Sequence, residues 1–159
     1  MFYDISASTK NEVVETAWVK KVADKINIPF CVAGGIKNIR VAEAILNLGA
    51  DKISINTPAI ENPKLITELA KEFGSQCVVV GIDSYFQDQQ YNVYSRTGDP
   101  TTRTKSNRLT YSWIKEVQDR GAGEIVLNCM NQDGVRNGYD LKQLFDARKI
   151  SRCLLYTSP

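Results

Sequence analysis

The sequence predicts an α/β fold in which parallel strands alternate with crossover helices. Short apolar runs alternate with amphipathic stretches along the whole 159-residue chain. Two stretches, "GADKISIN" at 49–56 and "GAGEIVLN" at 121–128, align without gaps at an offset of 72 residues. That is two strand–helix units of about 36 residues each, a size that suits a (β/α)₈ barrel; an open doubly wound sheet is the alternative. Within these two strands Lys52, Ser54 and Asn56 share one face, as do Glu124, Val126 and Asn128, while Ile53, Ile55, Ile125 and Leu127 point the other way. A barrel packs its apolar outer face on helices, so the polar column points into the bore. One ion pair between Lys52 and Glu124 plugging the bottom would also account for it.

Each element has its own signal. The first strand is "MFYDI", ending near Asp4. A helix over 12–26 carries Val14, Trp18, Val22 and Ile26 on one face at spacing four. "IPFCVAGGI" is the second strand, stopped by Gly34 and Gly35, and a helix over 41–48 ends at Gly49 as its C-cap. "KISIN" is the third strand. In "ENPKLITELAKEFG", Asn62 is the N-cap, Pro63 the first helical position and Gly74 the residue past the end. "CVVVGID" is the fourth strand. A helix over 111–120, the strand "EIVLN" and a helix over 141–148 complete the pattern.

Composition narrows the function. With 43% hydrophobic and 24% charged residues and a net charge of +2, the chain is an ordinary globular protein with no electrostatic case for nucleic acid or membrane. No apolar run approaches the roughly 20 residues of a membrane span, and "MFYDISASTK" lacks the pattern of a signal peptide. Cys31, Cys77, Cys129 and Cys153 form no C-x-x-C pair, and three of them sit in apolar strand-like runs. That favours reduced, buried thiols of a cytoplasmic protein. The chain has no histidine, which leaves carboxylates, lysines and cysteines for proton chemistry. Neither a metal site nor a cofactor is predicted.

Barrel sites form at the C-terminal ends of the strands. Here those ends are Asp4, Gly34 and Gly35, Asn56 and Thr57, Asp83, and the loop "NQDGVRNG". Asp83 has the parity of Val79 and Gly81, so the strand delivers a carboxylate to the mouth; capping a turn is the plainer role for it. The glycine loops "AGGIKN" and "QDGVRNG" can cradle phosphate, or simply turn. The segment 84–109 is long for a loop. "QYNVYSRTG" within it suits a hairpin, and Arg96, Arg103, Lys105 and Arg108 suit either a solvated loop or a lid over an anionic substrate.

The motifs "FYDISAS", "IPFCVAGGIKN", "GADKISINTPA", "VVVGID" and "RGAGEIVLNCMNQDGVRNGYD", in this order, closely resemble the cyclase-subunit family of imidazole glycerol phosphate synthase, from histidine biosynthesis. The sister phosphoribosyl isomerase of the same pathway is the nearest alternative, and a non-catalytic barrel-like docking protein is another. The resemblance implies a (β/α)₈ barrel that binds a substrate with a phosphate at each end and takes ammonia from a glutaminase partner, as a heterodimer. Asp83 falls on the strand-five general acid–base. Gly35, Asn56 and Thr57 fall on one phosphate site, Asp133 and Gly134 on the other, and Lys52 and Glu124 on the ammonia entrance. It also implies that residues 1–150 are strands two to six of a partial barrel, with strand one and its aspartate, and strands seven and eight, outside the chain. Residues 151–159, "SRCLLYTSP", read as a tail outside the family, resembling a translated sequencing adapter.

Overall fold

The computed structural model describes residues 1–3 and 17–158. In chain order the elements are β1 (Phe2–Tyr3), α1 (Ala17–Ala23), β2 (Cys31–Ala33), α2 (Ile39–Asn47), β3 (Lys52–Ile55), α3 (Thr57–Glu61), α4 (Lys64–Phe73), β4 (Val78–Gln87), β5 (Gln90–Ser95), β6 (Thr104–Leu109), α5 (Thr110–Asp119), β7 (Glu124–Cys129), α6 (Leu141–Ile150) and β8 (Leu154–Ser158). Asp4 and Val14, singled out in the sequence, lie outside the described residues.

Six strands run parallel in the order β1-β2-β3-β4-β7-β8. Each new strand joins the same edge. A doubly wound sheet reverses its order at a switch point, and this sheet does not. The architecture is therefore a partial (β/α)₈ barrel. On the face toward the helices, Ile53, Ile55, Val78, Val80, Ile82, Ile125 and Leu127 pack against Ile45 of α2, Leu65, Ile66 and Leu69 of α4, Trp113, Ile114 and Val117 of α5, and Ala147 of α6. Val79 faces the other way and is fully buried outside that cluster, which fixes the bore side as the parity of Lys52 and Glu124.

The sequence echo is an echo of structure. Gly49 and Gly121 follow α2 and α5 with φ of +102° and +107°. In each copy the glycine N–H bonds the carbonyl three residues back (Leu46, Gln118), and the following alanine N–H bonds the carbonyl five back (Ile45, Val117). This double closure needs a left-handed residue. A Cβ on either glycine would stand 2.7 Å from the Cβ of an alanine on the preceding barrel helix, Ala23 or Ala70.

Two elements differ from the sequence expectation. Asn62 closes the short helix α3, started by Pro58, and Pro63 caps α4 one residue later than expected. β4 does not stop at Asp83. It leaves β3 after Val80 and pairs antiparallel with β5 from Asp83 to Gln87, turning through Asp88 and Gln89, both at positive φ. The segment 84–109 is thus largely an antiparallel extension, β5 pairing β6. Within residues 151–158, Leu154–Ser158 is strand β8, which pairs β7 in parallel from Glu124↔Leu154 to Asn128↔Ser158. Its apolar run follows a helix directly and meets the open edge of β7, with Leu155 packed on the core. No helix among the described residues is long and apolar enough to cross a membrane.

Candidate active site

A cleft of about 580 Å³ opens at the C-terminal ends of the parallel strands. Gly35, Asn56, Thr57, Asp83 and Asp133 all line it, so five of the sequence candidates meet there. Gly134 follows Asp133 with φ of +73° and stands outside the lining. Lys52 and Glu124 are the first residues of β3 and β7, at the opposite end of the barrel. Asn128, near the mouth, stands four steps along β7 from Glu124, a rise of about 13 Å.

Asp83 is held from three sides. Its Oδ2 accepts from Asn56 Nδ2 at 2.6 Å and from the Thr97 hydroxyl, and its Oδ1 accepts from Asn128 Nδ2 at 3.0 Å. Asn56 follows β3, Asn128 is the last residue but one of β7 and lies opposite Asp83, and Thr97 belongs to the loop between β5 and β6. The strand therefore delivers its carboxylate, 9% exposed, into a ring of neutral donors. An ionised carboxylate has about four acceptor sites. Three are occupied, which leaves one acceptor site on Oδ1.

At the floor, Lys52 Nζ pairs with Glu124 Oε1. β4 runs between their strands, so the pair bridges the bore over Val79. The hydrogen bond with Glu124 holds the Lys52 ammonium above the ordinary lysine range. Cys31 lies beside Lys52 in the ladder, and burial pushes its thiol up to about 12, which makes it a poor nucleophile at neutral pH.

The loop that carries Asp133 is clamped at both ends. Asn131 Oδ1 accepts from Phe86 N–H at 2.7 Å, and Asn131 Nδ2 donates back to Phe86 O at 3.3 Å. Asp140 caps α6 through Gln143 N–H at 2.9 Å and accepts from the Tyr91 hydroxyl at 2.8 Å. Below, Ser84 Oγ meets Thr110 Oγ1 at 2.7 Å and accepts from Gln143 Nε2, a buried polar link among β4, α5 and α6. Of the four cations noted in the long segment, Arg96 lines the cleft. Arg103 instead lies over the rings of Tyr85 and Tyr94, and Arg108 lies over Trp113 and pairs with Glu116.

Sequence reasoning did not select Asn128 or Thr97. Asn128 had a signal, its alignment with Asn56 in the echo. Thr97 had none, since a hydroxyl in a polar loop is ordinary.

The family described as "Histidine biosynthesis protein" matches residues 1–158. Proteins named imidazole glycerol phosphate synthase subunit HisF are 58% identical in Vibrio cholerae serotype O1 (strain ATCC 39541 / Classical Ogawa 395 / O395), over 160 residues, and 60% identical in Photobacterium profundum, over 161. That of Aliivibrio fischeri (strain MJ11) is 59% identical over 161 residues. Each match covers 99% of this chain but 62% of the relative, so the chain spans somewhat under two thirds of their length.

Proposed function

We propose, on the premise that this chain belongs to the histidine biosynthesis protein family, that it is a segment of the cyclase subunit of imidazole glycerol phosphate synthase. In this reading the complete protein is a cytoplasmic lyase that forms a heterodimer with a glutaminase. Ammonia released by the partner passes up the bore. The cyclase uses it to release an aminoimidazole carboxamide ribotide and to close the ring of imidazole glycerol phosphate.

The observation that carries the reading is the Asp83 carboxylate, held by three donors with one acceptor site to spare at the mouth of a parallel barrel sheet. Amine attack sheds a proton and departure of the ribotide needs one, and a fixed carboxylate serves both steps. The order of the strands supports a doubly phosphorylated substrate. Gly35, Asn56 and Thr57 lie toward one side of Asp83, and the loop of Asp133 and Gly134 follows the strand on its other side. The Lys52–Glu124 pair at the floor suits a gate for a small neutral molecule.

The test uses a complete barrel in which residues 1–158 replace the matching segment of the Vibrio cholerae relative. Asp83→Asn keeps the shape and loses the exchangeable proton. Turnover is expected to fall about 10²–10⁴-fold with substrate affinity little changed. Turnover within about threefold of the parent removes Asp83 from proton transfer.

A further inference from the structure

Two of the three donors on Asp83 stand at the ends of barrel strands and are set by the ladder. The third does not. Thr97 sits in the loop between β5 and β6, and that loop is tied to the mouth at separate points. Arg96 N–H donates to Thr57 Oγ1 at 3.0 Å, and the Arg96 guanidinium pairs with Glu61 of α3 at 2.9 Å. Thr102 Oγ1 closes the loop by donating to Arg96 O at 3.1 Å. Arg96 holds φ of +54°, a left-handed conformation that residues with a Cβ seldom adopt and that persists where the surroundings enforce it. The loop is a strap across the cleft, and its innermost contact is the Thr97 hydroxyl on Asp83 Oδ2.

The two oxygens of a carboxylate are equivalent until their partners differ. Oδ2 has two lone pairs and two donors, Asn56 and Thr97; Oδ1 has two lone pairs and one donor, Asn128. We infer that Thr97 is a positioning residue that makes Oδ1 the proton-exchanging oxygen of Asp83, an inference that rests on the proposed acid–base role of Asp83. The proton lost by the substrate forms its new O–H bond at Oδ1 and returns from there to the leaving fragment. The Thr97 hydroxyl keeps its own proton throughout. Without Thr97, Oδ2 has a free lone pair as well, and the carboxylate has two ways to face the cleft, one of them unproductive.

The experiment compares Thr97→Val, Thr97→Ser, Asp83→Asn and the double variant Thr97→Val with Asp83→Asn in the complete barrel, with ammonium as nitrogen source. Thr97→Val keeps the shape without the hydroxyl. It is expected to lower kcat about tenfold with KM within about twofold, and Thr97→Ser to restore most of that loss. In the Asp83→Asn background Thr97→Val is expected to add little, because it acts through the carboxylate. Thermal unfolding of each variant checks that the fold is kept; should Thr97→Val unfold, the kcat of Thr97→Ser against the parent decides, a loss beyond about threefold overturning the proposal. A Thr97→Val kcat within about twofold of the parent, a rise in KM alone, or a full additive loss on Asp83→Asn also overturns it. Full activity of Asp83→Asn overturns the acid–base reading itself, and the proposal with it. An impaired Asp83→Asn beside a normal Thr97→Val overturns only the role of Thr97.

Discussion

Lys52→Met in the complete barrel separates a structural ion pair from an entrance device. The Lys52 side chain is 28% exposed and that of Glu124 9%, so the substitution strands a buried carboxylate. Removing one partner of a buried pair costs about 3–5 kcal/mol. Water still reaches more than a quarter of the lysine, which places the cost at the low end, about 3 kcal/mol. For a barrel of this size that lowers Tm by about 6–12 °C. Adding Glu124→Met removes the stranded charge and is expected to recover most of the loss, because an apolar pair of similar volume is about as stable as the ion pair. The pH dependence has a definite sign. Lys52 is raised above its ordinary value in the folded state, so its contribution is intact below the ordinary lysine pKa and fades as pH rises through the folded value. The variant therefore loses the alkaline part of the parent's unfolding profile. Turnover gives the second readout: with the proposed glutaminase partner added, glutamine-driven turnover is expected to fall more than ammonium-driven turnover. Equal loss of both activities refutes the entrance role. An unchanged Tm refutes the buried-pair reasoning.

Gly121→Ala puts a Cβ 2.7 Å from Ala70 Cβ at φ of +107°; a stability loss of about 2 kcal/mol or more is expected in urea unfolding, with Ala70→Gly relieving only the steric part. A loss below about 0.5 kcal/mol contradicts the Gly49–Gly121 equivalence. Among the described residues of this chain, β1 and β8 are the edges of the parallel strands, with Leu154 58% and Tyr156 47% exposed at the β8 edge. Each unburied large apolar side chain forfeits roughly 1.5–3 kcal/mol against a total stability of about 5–15, so light scattering is expected to find it self-associated and assays to find it without cyclase activity. A monomer with a single cooperative urea transition contradicts this.

What the sequence made legible is what local periodicity and parity determine. The inward column from Lys52 to Asn56 and from Glu124 to Asn128 needed only the two-residue repeat of a strand. Gly49, Gly74 and Gly121 marked helix ends because their backbone conformation excludes other residues. The order of strands followed from the alternation of elements once the repeat was seen. What escaped depended on contacts distant in sequence. β4 carries on to Gln87 because β5 folds back on it, and nothing in "SYFQ" distinguishes a loop from a ladder. The pairing of "LLYTS" depends on the edge of β7, which its own residues do not announce. Thr97 reaches Asp83 only because Arg96 is anchored to Thr57 and Glu61, 39 and 35 residues away in the chain.

The echo explains why the site stands where it does. Residues two strand–helix units apart lie on strands separated by one strand, roughly 9–10 Å apart. Any pair aligned in the repeat therefore faces its counterpart across the strand between them, here β4. At the mouth both counterparts are asparagine, because gripping one carboxylate from two sides asks for the same amide donor twice. At the floor they are lysine and glutamate, whose opposite charges pair across the bore. The repeat is identical where its two copies share a partner and complementary where they partner each other. Asp83 therefore stands on the local axis of the repeat, between the two copies, and a substitution at Asn56 or Asn128 unbalances it from one side.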